Sequence, residues 1–243
     1  MTAVKKEGML RLPPRCFKKC VRGQVEKAAP PHCKQNAVPI DHPTLDVLWT
    51  PIAVTRANKL WEAGKDGMTP EEFQRSYPLL MAWIEQTLRA YGTQARPVAS
   101  LGFARLPRYF SEALLASAKV VLVDRVPKPP LASMGLSRFE EFQRSDNDGI
   151  TYLDTFFVKR SMAAAERLHF HELIHVVQWR LLGPEIFLAA YAAGLETFGY
   201  WNSPLETMAY RAEAAFTRSS EPFDAETLVA EQLAPIRESV KMK

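Results

Sequence analysis

The segment His171-Glu172-Leu173-Ile174-His175 constrains this chain more than any other five residues. On a helix, residues four apart lie one turn above each other on the same face. Both imidazoles can then reach one metal ion. Glu172 lies about 100° round from His171, near the open side of such an ion. Apolar Leu173 and Ile174 between the polar residues predict a mostly buried helix. A buried His, Glu and His without partners would be costly, and a metal satisfies all three.

A catalytic zinc site holds three protein ligands and leaves one position open for water. Coordination would acidify that water, and Glu172 would take its proton as general base and pass it to a leaving amine. No histidine follows His175, and Gln178 stands where an extended HExxHxxGxxH pattern needs glycine. The third ligand therefore has to be a carboxylate, and Glu196, Glu206 and Glu213 compete. Glu206 is favoured, because near the helix start Pro204-Leu205-Glu206 it would be rigidly placed and close to the preceding loop. Glu213 lies two turns further on and shares its face. Against Glu206, Ser203-Pro204-Leu205-Glu206 matches a capping box in which the glutamate would merely satisfy a backbone N–H. Asn202 is an equally good cap and would leave Glu206 free.

Around the motif, the periodicity predicts helices with a few strands. Thr69-Pro70-Glu71-Glu72 is a helix start, and Phe73, Tyr77, Leu80, Met81, Ile84, Leu88 and Tyr91 recur at helical spacing up to Gly92. A short helix within 110–118 precedes a buried strand at Val120–Val123. The run Ile150–Val158 reads as one strand, rich in β-branched and aromatic residues. The motif helix covers about 163–182. Gly183-Pro184 stops it and starts another helix that ends near Gly194. A third helix opens at Asn202-Ser203-Pro204 and reaches about Phe216, and a last one spans about 224–240. Strands placed before the motif helix make this an α+β domain.

Residues 1–44 read as a basic, proline-broken N-terminal extension, and 45–243 as the main domain, with its core at 110–216. Residues 1–35 carry nine Lys/Arg against Glu7 and Glu26, so a chain of net charge +4 leaves the remainder at −3. That balance argues against a nucleic-acid binder. No apolar run is long enough to span a bilayer, and the N-terminus lacks the continuous apolar stretch of a signal peptide. The three cysteines, Cys16, Cys20 and Cys33, all lie in the extension. With His32 they make a poorly spaced metal set and read as free thiols. A main domain without cysteine fits a reducing compartment, and the expected location is the cytoplasm.

HELIH followed by a downstream helical glutamate resembles the gluzincin group of zincin-like metallopeptidases. His171 through Trp179, with Pro204-Leu205-Glu206 and Ala209-Tyr210, looks like a set of poorly characterised bacterial zincin-like domains. The resemblance covers about residues 110–216. It implies a small sheet beside the active-site helix and a backing helix bearing the third ligand, with Ile150–Val158 as an edge strand that binds substrate backbone. It also implies Zn2+, a peptide or protein substrate, His171, His175 and Glu206 as ligands, and Glu172 as catalytic base. Gluzincins place an Asp four residues after the ligand Glu to orient a zinc histidine, and Tyr210 stands there instead. Its hydroxyl is assigned either that orienting role or stabilisation of the oxyanion. Tyr191 and Tyr200 are further oxyanion candidates, and His169 is read as a packed residue pointing away from the ion. The competing reading is a zincin-fold metal-binding module for assembly, without turnover. Intact Glu172 favours the enzyme.

Overall fold

The computed structural model describes residues 67–241. The extension, with Cys16, Cys20, His32 and Cys33, and the boundary at residue 44 lie outside the described residues. Helix α1, Pro70–Tyr91, opens with a complete capping box: the Glu72 N–H donates to Thr69 Oγ1, and the Thr69 N–H donates to Glu72 Oε2. Its apolar stripe buries Phe73 and Ile84.

Four strands form one mixed sheet: β1 at Arg96–Pro97, β2 at Lys119–Val123, β3 at Gly149–Tyr152 and β4 at Thr155–Lys159. Their order is β1-β2-β4-β3, with β2 and β4 parallel and the other pairs antiparallel. Two short helices flank them, α2 at Glu112–Ser117 and α3 at Glu140–Arg144. The expected single strand Ile150–Val158 is in fact a hairpin. Leu153-Asp154 turns the chain, and Leu153 takes a left-handed φ of 57°. An Asn-Gly pair would signal such a turn, and none is present. Of the two strands in this hairpin, β3 is the one at the sheet edge among the described residues; β4 lies between β2 and β3.

Helix α4, Glu166–Phe198, bends at Gly183, whose φ of 72° no helical residue adopts. The second half does not end near Gly194, as the sequence reading expects, but runs on to Phe198. Gly194 is instead a point of close approach, where an added Cβ would overlap Ser203 Oγ and crowd Pro204. Helix α5 is Pro204–Arg218, and α6 is Ala225–Lys241. Asp224 starts α6 by accepting from the Thr227 N–H at 2.9 Å.

Helices α5 and α6 both pack on α4, and β3 and β4 contact it as well. The core at this junction contains Phe156 and Phe157 from β4, Phe170, Leu173 and Ile174 from α4, Phe216 from α5, and Val229 and Leu233 from α6, all nearly fully buried. Phe170 stacks on Phe216 with ring centroids 4.4 Å apart. Burying each such side chain stabilises the fold by about 1.5–3 kcal/mol. The expectation of an α+β domain holds. Among the described residues, no helix is long and apolar enough to cross a membrane.

Candidate metal centre

From His169 to Trp179 α4 is buried on every side, so its polar residues have to find partners inside the protein. His171, Glu172 and His175 are 4%, 3% and 5% exposed, and Glu206 on α5 is 2% exposed. The two Nε2 atoms are 3.2 Å apart. Glu206 Oε2 lies 3.5 Å from His171 Nε2, and Glu206 Oε1 lies 3.4 Å from His175 Nε2. These three residues form a buried group able to hold a metal ion.

The outer nitrogens explain why the inner ones converge. His171 Nδ1 donates to Glu213 Oε2 at 3.1 Å. His175 Nδ1 donates to Gln178 Oε1 at 2.8 Å. The Gln178 amide is held in that orientation because its Nε2 donates to the Leu205 carbonyl and to Met208 Sδ. With an acceptor outside each ring, the Nδ1–H tautomer is favoured and each Nε2 keeps a lone pair directed inward. Two facing lone pairs and a carboxylate repel unless a proton or a metal ion lies between them, and without a metal the proton is the one on His171. Glu206 Oε2 is buried with no hydrogen-bond partner. For bonds of 2.0–2.1 Å, ligands on a tetrahedral ion sit about 3.3 Å apart, close to the three separations here. The donor set therefore fits a divalent metal.

The charges respond to the same geometry. Burial alone would lower the His171 pKa, but Glu206 and Glu213 push it up to about 10. Burial would raise Glu206, yet the two histidines hold its carboxyl well below the usual range. Glu213 is likewise lowered, its bonds to His171 and Arg167 outweighing its burial. Glu172 moves the other way: desolvation raises its pKa against the pull of both histidines and Thr151.

Glu172 is fixed by the edge strand. Thr151 Oγ1 donates to Glu172 Oε2 at 2.7 Å. Gly149 lies so close that a Cβ there would overlap Glu172 Oε1. The Glu172 carboxylate thus lies flush against β3. Glu172, His175 and Glu206 together line a cleft of about 950 Å³ of empty space, solvent at its mouth included.

Of the three competing carboxylates, only Glu206 joins the two Nε2 atoms. Glu213 lies behind His171, and Glu196 pairs with Arg138 at 2.9 Å and accepts the Met68 N–H. Ser203 is the N-cap of α5 but makes no capping bond; its Oγ is buried and unpartnered. The capping-box role of Glu206 is therefore not realised, and Asn202 does not replace Ser203 as the cap. Tyr210 packs its ring on His171 at 4.5 Å, while the Nδ1 partners of the two histidines are Glu213 and Gln178. The orienting role that the resemblance left to Tyr210 is thus filled by Glu213. Tyr191 donates its hydroxyl to Glu206 Oε1 at 2.7 Å, and Tyr200 lines the cleft. His169 is packed, as expected, with Nε2 on the Ala163 carbonyl and its ring against Phe103.

Sequence reasoning weighed Glu213 only as a third ligand, not as the partner of His171 Nδ1, and assigned no role at the site to Gln178, Thr151 or Gly149. For Glu213 a signal existed, since its seven-residue spacing from Glu206 puts both on one helix face. For Gln178 the signal was its position three residues after His175. No protein-family model, curated protein or solved structure matches this chain.

Proposed function

We propose that the protein is a zinc-dependent hydrolase of peptide bonds of the gluzincin type. The observation that carries the reading is the placing of Glu172 beside His175 and Glu206 in the wall of one cleft, with its carboxylate pinned by the edge strand. A small sheet beside the motif helix, and a second helix carrying Glu206, support the zincin-like resemblance. The donor set of two imidazoles and one carboxylate suits zinc.

When bound, a zinc ion supplies Lewis acidity, polarising a carbonyl and bringing the pKa of a water towards neutrality. The protein's own residues do the rest. His171, His175 and Glu206 would hold the ion, and Glu213 and Gln178 would keep the imidazoles aimed. Glu172 accepts a proton at its carboxylate and returns it to the leaving amine. Its raised pKa, set by desolvation, brings it nearer to neutrality and so to efficient proton transfer in both directions. The edge of β3, unpaired among the described residues and beside that carboxylate, suits a substrate backbone laid down as an added strand.

The test combines metal content with hydrolysis. Wild type is expected to hold zinc and to cleave members of a broad peptide library. His175→Ala should lose both properties. Glu172→Gln should keep zinc and lose cleavage. A wild-type protein that folds without zinc, or that binds zinc and cleaves no peptide, would overturn the proposal, the latter in favour of a binding module.

A further inference from the structure

The cleft beside the metal centre has mostly apolar walls. Phe73 and Leu80 of α1 form one side, and Leu188 and Leu195 of the second half of α4 form another. The third wall is the segment between β2 and β3, where Leu131, Leu136 and Phe139 form a small apolar cluster separate from the main core. Among the described residues no Lys, Arg or Asp lines the cleft, and the carboxylates that do are Glu172 and Glu206. Both are already engaged, with Thr151 and with Tyr191 and the histidines.

The cations near the walls are engaged as well. Lys128 donates to the lining residue Asn147, to Ser145 and to the Phe142 carbonyl. Arg138 is paired with Glu72 and Glu196. Away from the metal, a peptide carboxylate entering here would lose its hydration and find no free cationic side chain among the described lining residues, and a terminal ammonium would find no spare acid there. A neutral apolar group loses nothing of the kind and gains the walls.

We infer that this cleft selects the interior of a peptide chain, taking a bulky apolar side chain beside the scissile bond and rejecting charged side chains and charged termini. The protein is then an endopeptidase rather than a remover of terminal residues. The inference rests on the hydrolase reading for its choice of a peptide as ligand. Ala192, on the α4 wall, is a specificity-determining position, because a large side chain there would fill the space between α4 and the apolar cluster.

The test uses full-length Glu172→Gln loaded with zinc, so that bound peptides stay intact. Peptides capped at both ends, with Phe, Leu, Gly, Asp or Lys at one central position, are titrated by calorimetry. They are joined by uncapped peptides with Phe at either terminus. The capped Phe and Leu peptides are expected to bind at least about tenfold more tightly than all the others. Adding Ala192→Trp should weaken the Phe peptide more than the Gly peptide. Equal binding of the Asp or Lys peptides, or tighter binding of the uncapped ones, would overturn the inference. The apolar preference without hydrolysis by wild type would sink the hydrolase reading and leave the cleft assignment standing. Hydrolysis without that preference would do the reverse.

Discussion

The floor and the roof of the cleft are built differently. The floor is the first half of α4 with α5, and its polar residues are held inside the main core by the chain Arg167–Glu213–His171 and by Gln178 behind His175. The roof is the segment leading to β3, whose buried cluster consists of Leu131, Leu136 and Phe139. It is tied across the cleft by Arg138, which reaches Glu72 on α1 and Glu196 on α4. Those ion pairs are partly exposed, and such pairs contribute about 0–1 kcal/mol each. The floor thus holds its polar side chains by directional hydrogen bonds, the kind of support a metal site needs. The roof supplies apolar area with few directional contacts, which suits recognition of shape and hydrophobicity.

Replacing floor residues should therefore abolish metal binding or chemistry, and replacing roof ties should barely touch either. The largest effect is expected from His175→Ala, which removes a ligand. Its zinc affinity should fall by more than the roughly 10–100-fold that losing an outer partner costs, as measured by competition with a chromogenic chelator. Gly149→Ala comes next. Its Cβ would displace the Glu172 carboxylate, so kcat should fall about 100-fold or more while zinc stays bound. Loss of zinc with kcat unchanged would show that β3 serves the metal rather than the base.

Glu213→Gln sharpens the account of His171. It keeps an acceptor for Nδ1 but removes a charge, and zinc affinity should fall by about tenfold. The same pair sets a pH dependence. His171, at about 10, is protonated in the metal-free protein at neutral pH, and that proton must leave as the metal enters. Below pH 10 zinc affinity should rise by about tenfold per pH unit in the wild type, and in Glu213→Gln, where His171 is less basic, the rise should level off at a lower pH. The smallest effect is expected from Arg138→Ala: unchanged zinc, stability reduced by no more than about 1 kcal/mol, and a loss that shrinks as salt is added.

The floor was also the more legible region in the sequence. Helical period placed His171, Glu172 and His175 on a buried helix, and counting histidines pointed the third ligand to a carboxylate. Both inferences need only residues close in sequence or a process of elimination. Which of Glu196, Glu206 and Glu213 joins the two Nε2 atoms depends on how α4 and α5 cross, and a periodic pattern does not carry that information. The position of Gly149 against Glu172 is likewise a tertiary fact, since 23 residues separate them. The hairpin was hidden for a local reason. Leu153-Asp154 turns without the usual turn residues, so β-branched and aromatic residues on either side read as one strand. The roof carried the weakest signal, being short 3₁₀ turns and a five-residue helix whose apolar residues follow no sustained period.

The most direct test of the central claim is zinc content measured alongside peptide hydrolysis in wild type and Glu172→Gln, purified without added chelator. The account requires equal, stoichiometric zinc in both proteins and cleavage by the wild type alone. Cleavage that survives Glu172→Gln, or a folded wild type that takes up no zinc, would contradict it.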